Sequence, residues 1–244
     1  MIRADVEFAR ALQSPARAFS RSAEGFIEAP GIRIELDADT DCWNDQEFLL
    51  MFRGEPYLAE AGRGESAGSL AGTLAASLRA KPEATLRTLR GRFAAFWVDL
   101  RAMTVGLACD RFGTYSLCYS YRDGRMRIAE RADIVAGPDA QMDPQSIFNY
   151  LHFHCIPSPR TIFCDVFRLE QGSILSGDSK GCRSVFWWKP EFREDTRADF
   201  DGLRDEFRSI IRSSVERAAS GQRTAAYLSG GTDSSTVLGM LRDV

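Results

Sequence analysis

Apolar positions recur along this chain with two periods. In residues 32–36, Ile32, Ile34 and Leu36 alternate with Arg33 and Glu35, the period-two pattern of a strand with one buried face. Residues 47–52 are more continuously apolar and predict a second strand, with Arg53-Gly54-Glu55-Pro56 as the turn that ends it. The Gly-, Ser- and Ala-rich residues 61–69 predict a loop. A helix follows over 70–79, where Leu70, Leu74 and Leu78 share a face, and Lys81-Pro82 stops it. The first thirty or so residues carry no clear pattern.

Four strands are predicted next, at 91–100, 103–109, 117–121 and 126–129. Turns at Asp110-Arg111-Phe112-Gly113 and Arg122-Asp123-Gly124 separate them. Such close spacing predicts one antiparallel sheet, a single layer of a two-sheet core. Asp143-Pro144 opens a helix carrying Ile147, Tyr150 and Leu151, which Ile156-Pro157-Ser158-Pro159 breaks. A strand pair around 172–175 and 184–188 ends at Lys189-Pro190.

The character then changes. Residues 191–201 are charged and read as a linker. Phe200, Leu203, Phe207, Ile210, Ile211 and Val215 repeat at helical spacing, and that helix ends near Gly221. Residues 224–228 read as a short buried-type strand, followed by a Gly-rich turn and an apolar helix over 236–241. Helix, strand, turn and helix in this order open an α/β domain with a parallel sheet. The expected fold class is thus α+β, with one domain at 1–190 and the start of a second at 191–244.

Composition narrows the picture modestly. The 244 residues hold 34 Asp+Glu against 31 Lys+Arg, a formal charge of −3. This gives no electrostatic reason to expect nucleic acid or an acidic membrane as a partner. No apolar run approaches the roughly 20 residues of a membrane span, and the first residues carry no secretory pattern. The six cysteines, with no C-x-x-C pair, read as reduced thiols of a cytoplasmic protein. His152, His154, Cys155 and Cys164 do not fit common zinc spacings. Lysine occurs only at Lys81, Lys180 and Lys189.

The chemistry-bearing segment is Ser229-Gly230-Gly231-Thr232-Asp233-Ser234-Ser235. Two glycines allow a sharp turn that aims backbone N–H groups into one concavity at a helix start, suited to phosphate oxygens. The serines add hydroxyls. Asp233 would repel bare phosphate but suits a Mg²⁺ ion held beside a nucleotide. The G-K-[ST] ending of a Walker loop is missing. A Ser/Gly turn that merely caps a helix explains the same residues.

Together with the preceding Leu228, this segment resembles the S-G-G-x-D-S pyrophosphatase loop of the asparagine synthetase family. Four further stretches resemble that family in its order. They are Phe52-Arg53-Gly54-Glu55-Pro56-Tyr57 (F-N-G-E-I-Y), Gly91-Arg92-Phe93-Ala94-Ala95-Phe96 with Asp99, Asp110-Arg111-Phe112-Gly113 with Leu117 and Tyr119, and residues 156–163 with Arg168-Leu169. The resemblance spans residues 31–244. It implies an N-terminal glutamine amidotransferase-like domain of the Ntn-hydrolase type, two stacked antiparallel sheets between helices. It also implies a C-terminal ATP-pyrophosphatase synthetase domain that adenylates a carboxylate, with ATP and Mg²⁺ as cofactors. Residues 228–235 would bind pyrophosphate, and Asp233 the metal.

The same resemblance exposes departures. The family's nucleophilic cysteine falls on Ile2, its oxyanion-hole asparagine on Arg53 beside the retained Gly54, and its substrate-anchoring aspartate on Leu70. About two dozen residues are also missing ahead of Arg53. The expectation is no glutamine hydrolysis, as in family members that close β-lactams or lasso-peptide macrolactams on an amine already in the substrate. The expected partners are then a carboxylate-bearing small molecule or a precursor peptide. No residue of the acyl-adenylate site falls within the chain, so a truncation is expected, or a second chain that supplies the rest. The alternatives are an asparagine synthetase using ammonia or glutamine, and a non-catalytic scaffold remnant.

Overall fold

The computed structural model describes residues 1–13, 18–22, 26–37, 40–58, 67–194, 199–219 and 224–242. The chain forms two compact units, Met1–Pro190 and Glu191–Val244. In the first, β1 (Ile2–Glu7), α1 (Phe8–Gln13), β2 (Ser20–Arg21), β3 (Ile27–Ala29), β4 (Ile32–Leu36), β5 (Thr40–Asn44) and β6 (Phe48–Leu58) come first. Then follow α2 (Ala67–Ala80), α3 (Pro82–Thr88), β7 (Leu89–Asp99), β8 (Thr104–Cys109), β9 (Cys118–Arg122) and β10 (Arg125–Ala129). The unit closes with α4 (Ala132–Ala136), α5 (Pro144–Phe153), β11 (Phe167–Arg168), β12 (Ser173–Asp178) and β13 (Gly181–Phe186).

These strands make two antiparallel sheets, so the unit is an α+β fold. Sheet A runs β11-β9-β10-β1-β4-β3-β2, and sheet B runs β13-β12-β8-β7-β6-β5. Between them lies one core, with Ile2, Val6, Ile34, Met126 and Ile128 from sheet A against Met51, Phe96, Leu107 and Leu175 from sheet B. The other face of sheet B is buried too. Phe48, Leu50, Phe52, Phe93 and Trp97 pack there beneath Leu70, Leu74 and Leu78 of α2 and Leu86 of α3. Residues 48–52 and 93–98 are continuously apolar because both of their faces lack water. The outer face of sheet A takes α4, through Val135 on Cys118 and Ala129. Elsewhere that face carries ion pairs such as Arg3–Glu35 and Arg125–Asp5.

Several expectations are corrected. The segment 53–56 is not a turn: β6 continues to Leu58, paired with β7 from Phe48↔Asp99 to Leu58↔Leu89. Gly54 (φ 101°) and Gly91 (φ 91°) let both strands pass through a backbone region that side chains disfavour. The four close-spaced strands do not share a sheet. β7 and β8 belong to sheet B, β9 and β10 to sheet A, because the chain crosses the sandwich between Cys109 and Cys118. The unpatterned start contains β1, a central strand of sheet A whose Ile2, Ala4 and Val6 face the core. Pro82 does stop α2, yet it also opens α3 as an N-terminal proline. Of the predicted loop over 61–69, residues 61–66 lie outside the described residues and 67–69 belong to α2.

The second unit contains α6 (Phe200–Ala219) and α7 (Thr232–Arg242). The predicted strand over 224–228 is not one. A strand needs a hydrogen-bonded neighbour, none pairs with this segment among the described residues, and Tyr227 is 98% exposed. No parallel sheet is present among the described residues. No described helix is long and apolar enough to cross a membrane.

Candidate functional site

Two places hold the residues singled out from the sequence. The first lies where β1 begins. Ile2 buries its side chain completely in the core between the sheets, while its N–H donates to Glu130 Oε1 at 2.8 Å. The Met1 ammonium pairs with the Asp37 carboxylate and stands 3.6 Å from Glu130. Asp37 also accepts from Arg53 Nη1 at 3.2 Å and from the Thr40 hydroxyl at 2.9 Å. Asp37 therefore ties the Met1 ammonium to Arg53. Its position just after β4 gave no sequence signal, and neither did that of Glu130.

Gly54 sits beside this cluster. An added Cβ would come within 2.3 Å of the Arg92 carbonyl oxygen and 2.5 Å of the Tyr115 ring. The glycine is thus explained by packing alone. Leu70 is not brought to the cluster: it lies on α2 against the outer face of sheet B, in a different core from Ile2.

The two thiols of sheet B that lie nearest the sandwich core, Cys42 and Cys109, are both held protonated. Cys42 faces the sandwich interior, and burial pushes its pKa up to about 11. Cys109 is pushed to about 12, by burial first and by the neighbouring Asp110 charge second. Both stay protonated near neutral pH, so neither supplies a thiolate. His152 is occupied with the rings of Phe148 and Phe153, and the described residues hold no cluster of three or more His, Cys, Asp or Glu suited to a metal.

The second place is the turn ahead of α7. Gly230 takes φ 82°, and Thr232 begins the helix. The Ser229 and Ser234 hydroxyls meet at 2.9 Å, and Ser234 and Ser235 donate to the Gly231 carbonyl at 3.1 and 2.8 Å. Residues 228–233 are all exposed, with Asp233 in the first helical turn. The turn thus gathers Ser229, Gly230, Gly231, Thr232, Ser234 and Ser235 around the helix start, where N–H groups favour anions. Asp233 provides one carboxylate there. One carboxylate fits a Mg²⁺ ion whose other ligands are waters and phosphate oxygens.

A two-sheet antiparallel sandwich without a thiolate at position 2, joined to a serine-glycine turn, defines the class. The chain belongs to the glutamine amidotransferase domain family, whose pattern matches residues 56–188. It is 26% identical over 231 residues to asparagine synthetase [glutamine-hydrolyzing] 1 of Bacillus subtilis, covering 90% of this chain and 36% of that protein. A putative asparagine synthetase [glutamine-hydrolyzing] 2 of Methanocaldococcus jannaschii is 28% identical over 168 residues, 65% of this chain and 32% of that one. The chain spans about a third of the length of these relatives. Among solved structures, glutamine phosphoribosylpyrophosphate amidotransferase from B. subtilis aligns at 10% identity and TM-score 0.43, over 100% of this chain and 64% of that one.

Proposed function

We propose that this chain is part of an ATP-dependent, AMP-forming carbon–nitrogen ligase whose amidotransferase-like domain no longer hydrolyses glutamine. The observation that carries the reading is the turn at 229–235, with its clustered hydroxyls and Asp233 at the head of α7. In this reading its N–H groups and hydroxyls hold the departing pyrophosphate of ATP, and Asp233 holds Mg²⁺ against it. No lysine follows Lys189 in the sequence, so in this reading anion binding would fall to N–H groups, hydroxyls and a metal held by Asp233. The substrate is a carboxylate on a small molecule or a precursor peptide, and the amine is one it already carries.

Loss of glutaminase chemistry rests on Ile2. A buried aliphatic side chain stands where the family's attacking thiolate would be, and Arg53 is bound to Asp37. The test uses the protein at the length of its relatives. Carboxylate-dependent release of AMP and pyrophosphate that requires Mg²⁺ supports the reading, with loss of about a hundredfold or more in Asp233→Ala. Absence of nucleotide binding and of pyrophosphate release would leave a scaffold without catalysis. If aspartate and ammonia are the accepted pair, the enzyme is an asparagine synthetase.

A further inference from the structure

Two arginines of the first unit converge at the junction of α3, β7 and the turn after β8. Arg90 Nη1 donates to the Arg87 carbonyl oxygen at 2.9 Å and to the Leu89 carbonyl at 3.0 Å. Arg111 Nη2 reaches the same Arg87 oxygen at 3.5 Å. Two guanidiniums thus converge on one neutral acceptor. The Arg111 guanidinium also lies 5.6 Å from the ring centre of Trp187 and 5.8 Å from that of Trp188. Phe112, 81% exposed, packs on Trp188 at 5.9 Å and adds an apolar rim.

Among the described residues, no carboxylate pairs directly with either guanidinium, although the Asp110 charge acts on Arg111. Neither arginine forms an ion pair among the described residues, whereas Arg92, two residues along β7, is paired with Glu55. The adjacent Asp110 is buried, and its oxygens are taken by the N–H groups of Phe93, Phe112 and Thr114. Burial first and the like charge of Arg90 second draw the Arg111 pKa below its ordinary value, against the opposing pull of Tyr57 and Asp110. A carbonyl dipole cannot neutralise two full charges, and like charges held together favour a bound counter-ion. Guanidinium forks match the tetrahedral oxygens of phosphate, and a dianion balances both of them where a carboxylate balances one.

We propose that Arg90 and Arg111 form a binding site for a phosphoryl group, carried by a phosphate monoester or present as inorganic phosphate. The site is independent of the turn at 229–235. Both sources share the −2 charge and the three terminal oxygens, so the first probe is inorganic phosphate and the second phenyl phosphate. Stronger binding of the ester identifies an organic ligand that uses the Phe112–Trp188 rim.

The test titrates phosphate into the full chain at constant ionic strength and follows tryptophan emission. All four tryptophans, Trp43, Trp97, Trp187 and Trp188, lie in the first unit. We expect a saturable change, tighter at pH 8 than at pH 6 as phosphate loses its second proton. Arg90→Gln and Arg111→Gln should each weaken it about tenfold or more, the loss of a charge-assisted contact. Arg122→Gln, which removes an exposed arginine paired with Asp123, should leave it unchanged. Arginine Nε–Hε NMR signals of the unsubstituted chain give a readout that needs no folded variant: those of Arg90 and Arg111 should shift on titration. A linear response, an equal response to acetate, or weakening by Arg122→Gln would overturn the proposal.

Discussion

At Gly54 a backbone angle and a contact distance together leave no room for a side chain. Gly54→Ala would meet the Arg92 carbonyl and the Tyr115 ring while holding a positive φ. It should destabilise the first unit by about 2 kcal/mol or more, read as a lower denaturant midpoint with an unchanged slope. Ile2 makes the complementary point. Its β-branched side chain fills the core that β1 shares with sheet B, so Ile2→Ala should cost about 2–4 kcal/mol. On the proposed reading, Ile2→Cys alone should release no glutamate from glutamine above background, because Arg53, which falls on the family's oxyanion position by resemblance, stays salt-bridged to Asp37. Measurable turnover in that variant would refute this account of the site. The identities of these residues were legible in the sequence. Asp37 as the link between Met1 and Arg53 was not, because it is distant from both in sequence and no periodicity marks it.

Among the elements, α2 shows how a helix is fixed to a sheet. Its Leu70, Leu74 and Leu78 bury against sheet B, each contributing about 1.5–3 kcal/mol. Its last turn is clamped by Arg79, whose Nε and Nη2 donate to Asp99 at 2.6 and 2.7 Å. Asp99 also accepts from the N–H groups of Arg101 and Ala102. Burial raises its pKa, but the Arg79 bonds and these N–H donors outweigh burial and hold it below the ordinary carboxylate value. A depressed folded pKa stabilises the fold above the unfolded value of about 3.9, and the stabilisation is lost as pH falls through the folded one. Thermal melts should therefore show Asp99→Asn about 2 kcal/mol less stable than the unsubstituted protein at pH 7, the gap shrinking as pH falls below about 4. The helix itself was legible from three leucines at spacing four. The continuation of β6 through 53–58 was not, since Gly-Glu-Pro reads locally as a turn and only pairing with β7 keeps the chain extended.

For the molecule as a whole, the two units differ in how much they bury. The first encloses one core between the sheets and another beneath α2 and α3, whereas the sole buried side chain of α6 is Val215 and α7 has none. Opening free energy follows burial. Amide hydrogen exchange should be slowest in β6, β7 and β8 and faster by orders of magnitude throughout α7. Equal protection in both units would contradict this reading of the structure.

Local chemistry sufficed for β4, β7 to β10 and β12, for the helix over α2 and for the turn at 229–235. Each is set by neighbours within a dozen residues, through side-chain period, a proline or a pair of glycines. Tertiary structure alone decided which sheet each strand joined, because β8 and β9 have similar spacing and similar turns yet lie in opposite layers. It also decided that residues 224–228 form no strand, since a strand exists only beside another strand. The meeting of Met1, Asp37 and Arg53, and of Arg90 and Arg111, depends on long-range pairing of β1 with β4 and of β7 with β6 and β8. Hydrogen bonding across a sheet brings distant positions to one place, and nothing in their local sequence records it.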